Sequence, residues 1–355
     1  MSTAIVFGAN GISGIALLSH LSSQPKSQWK KIIALSRREP VLDHQDERIV
    51  FKSVDLLGPE EKLEQALKEA GAKDADHVFF YAYVAKQDEQ ELIDVNRLLF
   101  GNALKAVAKT APKLQSFQLQ TGYKYYGTHK GGKYLAPYPW KEDSPRHSGD
   151  NFYYVQEDLL ADAAKQNGWN LATSLALYAT ARKELEQKLV FPGSDVSWNL
   201  PYDHSIASHN AAFQVYAAVN GLEGAYNIHA GKPITFKELW PKVAEYFGLE
   251  YDDPPKATQA ISDPPEQVIA LHSVDQWAKD QGNKFPEIAK KLGIDSSVFD
   301  YATWDFVDFA TSRTWKDVGS LERAKQAGWK NEVDVWEGYK AVFDRLKELG
   351  VVPKK

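Results

Sequence analysis

Three groups of residues in this chain have types and spacings that could do chemistry. The first is the glycine set of "VFGANGISG": Gly8, Gly11 and Gly14. One glycine permits a tight turn, the next lets main chain approach a pyrophosphate, and the third lets a helix pack closely on a strand. The second is "LSRREP", where Ser36, Arg37 and Arg38 offer a hydroxyl and two guanidinium groups with no acid before Glu39. A ribose diol at such a point is bound by a carboxylate, whereas a 2′-phosphate is bound by cations. The third is "LQTGYKYYG", which sets Lys124 among Tyr123, Tyr125 and Tyr126; "NFYYVQEDLL" then brings Tyr153 and Tyr154.

Elements of regular structure must position these groups. "TAIVFGA", "KIIALS", "HVFFYAY" and "SFQLQTG" read as short buried strands. Between them "GISGIALLSHLSSQ", "GPEEKLEQALKEAGA" and "EQELIDVNRLLFGNALKAVAKTA" have helical period. That alternation predicts an α/β fold with a parallel sheet covered on both faces, doubly wound through right-handed crossovers, which is the Rossmann type. The expected division is a dinucleotide-binding domain over residues 1–165 and a mixed segment over 166–355. The second segment is mainly helical, forms a smaller substrate-binding lobe, and returns one or more strands to the sheet, with "GAYNIHAG" as the strand-like run.

Composition narrows the function classes. The chain has 355 residues, 43% hydrophobic and 25% charged, with a net charge of −5 and no long basic run. Nucleic acid and membrane are therefore not expected partners. Cysteine is absent, which excludes disulfide scaffolds, thiolate catalysis and cysteine-ligated zinc, and fits a cytoplasmic protein. The nine histidines show no ligand spacing, so no metal site is expected.

The glycine turn lies after a strand and before a helix, the context a phosphate-binding turn requires. Asn10 and Ile12 belong to it. Ser36, Arg37 and Arg38 at the tip of the second strand favour NADPH over NADH. Asp55 and Leu56 of "VDLLG" follow the third strand, where an adenine edge would lie. Ligands of open parallel sheets bind at the carboxyl ends of the strands. Ala82 and Tyr83 after the fourth strand, and Gln120 and Thr121 after the fifth, are thus placed to line a nicotinamide site.

The glycine spacing is the G-x-x-G-x-x-G form associated with extended and atypical short-chain dehydrogenases/reductases. Together with "SRR", "VDLL", "HVFFYAYVA", "LQTGYKYYG", "NFYYVQEDLL", "TSLALYATARKEL" and "FPGS", the chain resembles the progesterone 5β-reductase/iridoid synthase-like (PRISE) family of atypical short-chain reductases. A usual short-chain reductase has a lysine four positions after its catalytic tyrosine. Here Tyr154 is followed by Asp158 and Tyr153 by Glu157. By the resemblance, Tyr154 matches the catalytic tyrosine, and Lys124 matches the lysine that reaches the site from the fifth-strand loop.

The resemblance implies an NADPH-dependent reductase of a small enone, enal or other carbonyl compound. Hydride would go to the β-carbon while the tyrosine hydroxyl hydrogen-bonds the developing enolate. A carbonyl 1,2-reductase and a non-catalytic NADP(H)-binding sensor stay open as alternatives, as does a possible homodimer. Two departures from the family pattern stand out. Ala82–Tyr83 replaces a polar residue and a tryptophan. "KQNGWNLATSLALYATA" also runs on where the family has a further strand and loop, a segment of roughly 15–25 residues, with the junction near Trp169–Asn170. "SDVSWNLPYDHS" and the helices around Tyr216, Trp240 and Trp304 are candidates for the substrate wall, with core packing equally open.

Overall fold

Five short apolar runs pair as a single parallel sheet. The computed structural model describes residues 1–161, 171–258 and 268–354. Strands β1 (Ser2–Phe7), β2 (Trp29–Ser36), β3 (Ile49–Ser53), β4 (His77–Phe80) and β5 (Ser116–Leu119) lie in the order β3-β2-β1-β4-β5. In register, Phe7 pairs with Leu35 on one side and Phe80 on the other, and Phe80 pairs with Leu119. The carboxyl ends are therefore level. The chain winds outward from β1 to β3 and then returns to β4, so the strand order reverses between β1 and β4. A crevice opens at that reversal, outside the strand ends.

Residues alternate between the two faces, and each face has its own helices. Ile5, Phe7, Ile33, Leu35, Val78 and Phe80 point to a core closed by α2 (Glu60–Ala70) and α3 (Glu89–Thr110). Phe80 meets Phe100 of α3 edge-on, with ring centroids 4.7 Å apart. Ala4, Val6, Ile32, Ala34 and Phe79 point the other way, against Leu17, Leu18 and Leu21 of α1 (Ile12–Ser23). Local signals fix the helix ends. The Asp88 carboxylate accepts the Glu91 N–H at 2.8 Å to start α3, and Gly71 stops α2 at φ +82°. Arg48 closes the end of α1: it pairs with Asp46 at 2.6 Å and donates to the carbonyls of Ser22 and Gln24.

The second half is helical, as expected. Helix α4 (Phe152–Ala161) packs on α3. After α5 (Leu171–Glu184) and α6 (Asp195–Asn199), α7 (Ala207–Val219) returns to cover the sheet beside α1, through Ala211, Val215 and Ala218. A separate core joins α5 to α8 (Phe236–Phe247), α9 (Val274–Gln281), α10 (Phe285–Leu292), α11 (Trp304–Ser312) and α13 (Val335–Glu348) around Leu177, Phe191, Trp240 and Phe343; the short α12 (Glu322–Gln326) lies outside it. Trp240 is fully buried there and Trp304 packs against the same core. Tyr216 packs with Phe213 and Trp329. All three aromatics thus contribute to packing.

One expectation is corrected. Among the described residues no strand from the second half joins the five-stranded sheet, and "GAYNIHAG" is not a strand. Gly224 and Gly231, at φ +89° and +119°, bend the chain at both ends of it. Its apolar members Tyr226 and Ile228 pack against Phe213 of α7, and its main chain pairs with His204 and Val333. The only second-half strands described, β6 (Pro201–Tyr202) and β7 (Ile234–Thr235), form a separate antiparallel pair. The Trp169–Asn170 junction lies outside the described residues. No described helix is long and apolar enough to cross a membrane.

Candidate active site

The glycine turn sits at the reversal point. Gly8 adopts φ +74°, and a Cβ there would lie 2.8 Å from the nitrogen of Ala82 and the carbonyl carbon of Tyr81. The turn after β1 thus lies directly on the chain leaving β4, a closeness only glycine permits. A Cβ on Gly14 would overlap the Gly8 oxygen and come within 2.8 Å of the Ala9 Cα. Gly11 is the N-cap of α1 with extended backbone, no side chain caps the helix, and its first turn carries no acid. The first N–H groups of α1 therefore face outward beside exposed Gly11 and Ile12 and half-buried Asn10, an arrangement suited to an anion.

At the tip of β2, Ser36 is buried and its hydroxyl donates to the Arg38 carbonyl at 2.7 Å, while Ser53 donates to the Arg37 carbonyl at 3.0 Å. Two serines thus fix the main chain of the arginine pair. The side chains of Arg37, Arg38 and Glu39 are exposed, and neither guanidinium pairs with an acid among the described residues. Asp55 is exposed and its carboxylate accepts the Leu57 N–H at 3.0 Å. Leu56 turns its side chain into the core under α2 and α3, and its carbonyl accepts from Asn102 at 2.8 Å.

Tyr83 is half-buried against Phe152, with ring centroids 5.4 Å apart, and burial pushes its phenol up to about 12. Gln120 turns toward α1 and α7: its amide donates to the Ser13 hydroxyl at 3.0 Å and accepts from Gln214 at 3.2 Å. Gln214 also accepts from the Tyr81 hydroxyl at 2.5 Å. Thr121 follows β5, half-buried at the strand end.

The residues Tyr123–Tyr126 form a single 3₁₀ turn that presents Lys124. Burial pushes the Lys124 ammonium down, opposed by Glu89. Tyr154 lies close to this turn on α4. Its hydroxyl donates to the Tyr125 carbonyl at 2.6 Å and accepts the His147 N–H at 3.0 Å. Both partners are main chain, and Lys124 is not among them. The Tyr154 ring stands edge-on to Tyr125 at 5.1 Å, with the Arg146 guanidinium 4.9 Å above it. Burial pushes its phenol up to about 12, and the His147 N–H pulls it back. Tyr153 is more deeply buried, and burial raises its phenol further, yet its hydroxyl hydrogen-bonds no described residue. What joins α4's entry to the lysine turn is Asn151, whose amide donates to the Lys124 carbonyl at 2.7 Å.

Sequence reasoning missed Asn151, His147, Ser13 and Gln214. His147 acts through its main-chain N–H, so no side-chain type signals it. The others are isolated polar residues whose partners lie far along the chain.

With this geometry in hand, the likeness to known proteins is informative. A family model described as a PRISE-like Rossmann-fold domain matches residues 4–175. The chain is 30% identical to the short chain dehydrogenase gsfE of Penicillium aethiopicum, over 99% of each chain. That alignment runs over 381 residues, more than the 355 of this chain, so the relative carries residues that this chain lacks. Identity is 28% to the (S)-8-oxocitronellyl enol synthase CYC2 of Camptotheca acuminata, over 99% of this chain and 93% of that one. The Bordetella bronchiseptica enzyme WbmH, solved in complex with NAD+, superposes with a TM-score of 0.65 over 99% of both chains at 16% identity, a likeness of fold. The chain belongs to the PRISE-like Rossmann-fold family of short-chain dehydrogenases/reductases.

Proposed function

We propose that this protein is an NADPH-dependent reductase of a small activated carbonyl compound, acting by 1,4-reduction of an enone or enal C=C bond. The observation that supports this reading is that the Lys124 turn follows β5 at the carboxyl end of the sheet, the end where the glycine turn also lies, with Tyr154 of α4 hydrogen-bonded to it. The same edge offers what an NADP(H) molecule needs: an uncapped helix start for the pyrophosphate, and two exposed arginines with no acid between them for the 2′-phosphate. Gly8, Asn10, Gly11, Ile12 and Gly14 would hold the pyrophosphate, Ser36, Arg37 and Arg38 the phosphorylated ribose, and Asp55 with the Leu56 main chain the adenine. Ala82, Tyr83, Gln120 and Thr121 would border the nicotinamide. Bound there, NADPH supplies hydride to an electron-poor carbon.

The protein's own part is to stabilise the oxyanion that develops on the substrate carbonyl, and a preorganised hydroxyl donor is the effective way to do so. Two tyrosines can serve. Tyr154 is the one its sequence motif indicates, but it must first release the Tyr125 carbonyl. Tyr153 has a hydroxyl with no hydrogen-bond partner among the described residues, but the residue is almost wholly buried. Lys124, on the adjacent turn, adds positive charge that favours the oxyanion.

Steady-state oxidation of NADPH with a panel of enones and enals tests the reading. Enone-dependent oxidation giving a saturated ketone supports it, and an allylic alcohol points to 1,2-reduction. NADPH binding with no oxidation on any substrate favours the sensor, a reading that the committed Tyr154 hydroxyl keeps in view.

A further inference from the structure

The three tyrosines around Lys124 are moorings. Tyr123 donates to Asp203 Oδ2 at 2.7 Å, Tyr125 to Glu157 at 3.2 Å, and Tyr126 to Asn227 at 2.7 Å. Two of these three lines run to the C-terminal half of the chain, and one of them is Tyr123–Asp203. Asp203 follows β6, and its side chain is almost wholly buried. The same Oδ2 also accepts the Gly319 N–H at 2.7 Å, so two donors converge on one oxygen. His229 stands 3.7 Å from it and is itself engaged with the Gly319 carbonyl at 3.1 Å. The fit admits nothing larger: a Cβ on Gly319 would overlap the Tyr123 hydroxyl.

A buried carboxylate that does not need to be there is costly, and replacing buried ionic groups by apolar ones is often neutral or stabilising. Burial does push the Asp203 carboxyl up, against the pull of His229, the Gly319 N–H and Tyr123. What Asp203 achieves geometrically is to fix the first residue of the lysine turn from behind. We propose that Asp203 is a positioning residue: by holding the Tyr123 hydroxyl it sets where the 3₁₀ turn presents Lys124, and so couples the C-terminal lobe to turnover. This inference rests on the reductase reading for its effect on rate, but the mooring of the turn is open to a test of its own.

The test uses the full chain with the substitutions Tyr123→Phe, Asp203→Ala, Asp203→Asn and Gly319→Ala, assayed with NADPH and 2-cyclohexen-1-one. Misplacement of a reacting group by about 1 Å costs on the order of 100-fold, so Tyr123→Phe and Asp203→Ala should lower kcat roughly 10- to 100-fold. NADPH affinity should stay within about threefold, because the glycine turn and arginines are untouched. Asp203→Asn should restore kcat to within about threefold of the parent, since one amide oxygen can accept both hydrogen bonds. Gly319→Ala should behave like Tyr123→Phe, and the Tyr123→Phe/Asp203→Ala double variant should be no worse than the poorer single, as expected of a pair acting as a unit.

Unchanged kcat in Tyr123→Phe, or an equal loss of kcat and NADPH affinity in every variant, overturns the proposal. Tyr123→Phe removes one oxygen and keeps the ring, so it still decides if Asp203→Ala fails to fold. If the parent protein reduces no enone or carbonyl compound, the reductase reading falls. Amide exchange at Tyr125 and Gly127, whose N–H groups close the turn onto Gly122 and Lys124, then decides the mooring. Faster exchange in Tyr123→Phe sustains it, and unchanged exchange overturns it.

Discussion

The Tyr154 hydroxyl donates its proton to the main-chain oxygen of Tyr125 at 2.6 Å, across the contact between α4 and the lysine turn. A phenol so engaged, with its acidity weakened by burial, is a poor proton donor until that bond opens. Its neighbour Tyr153 has a hydroxyl with no described partner. Phenylalanine substitutions sort the two. Loss of the group that serves the oxyanion costs about 10²–10⁴-fold in kcat. Tyr153 is almost wholly buried among Leu92, Ile93 and Phe152, so Tyr154→Phe should be the more damaging change, with NADPH affinity unaffected by either. A loss from Tyr154→Phe would show that the Tyr125 bond opens when ligands bind; no loss from it removes the tyrosine assignment.

Cofactor preference should reside in the exposed arginine pair. A charge-assisted hydrogen bond contributes about 1.5–3 kcal/mol, so Arg37→Ala with Arg38→Ala should weaken NADPH by at least about tenfold. NADH, which lacks the 2′-phosphate, should change by less than about threefold. Fluorescence titration with both cofactors checks this. Parallel losses would show that the arginines hold something other than that phosphate.

The glycine turn permits a sharp contrast. Gly8→Ala forces a side chain into a left-handed backbone and against the chain at Ala82, and should cost more than ~2 kcal/mol of stability. Gly101 lies inside α3, where an added Cβ would meet nothing within 4 Å. Gly101→Ala should therefore stabilise by about 0.5–1 kcal/mol through helix propensity. Urea midpoints of the two variants should move in opposite directions; a shift in the same direction would contradict the close approach at Gly8.

Acidification should weaken the fold before the carboxylates titrate. Burial pushes both His129 and His204 from 6.5 down to about 3, with nearby cations adding to the effect. The folded protein thus binds fewer protons than the unfolded chain between those values, and stability falls as pH drops below 6.5. Each histidine removes about 1.4 kcal/mol per pH unit in that window. The raised Asp203 carboxyl opposes this, but one group does not offset two. Urea unfolding at pH 7 and pH 5 should show a clear fall, and equal midpoints would rule out neutral buried histidines.

Much of the sheet was legible because fully buried parallel strands read as continuous apolar runs, as β1 does from Ala4 to Phe7. The glycine turn and the arginine pair were legible for a similar reason: their chemistry is local, set by a few adjacent residues. "GAYNIHAG" misled because its alternating aromatic and β-branched residues satisfy a helix and a tryptophan instead of a sheet face. The moorings of the lysine turn were out of reach. Tyr123 and Asp203 are 80 positions apart, and Tyr126 and Asn227 are 101 apart, with no local pattern joining them. Nor could residue types reveal that Tyr154 would be held by carbonyl and amide groups of the main chain.

The most direct test of the proposed reaction is where the hydride goes. NADPH deuterated at the transferable C4 position, incubated with the protein and 2-cyclohexen-1-one, should yield cyclohexanone carrying deuterium at the former β-carbon. Deuterium on the carbinol carbon of an allylic alcohol, or no transfer while NADPH still binds, would contradict it.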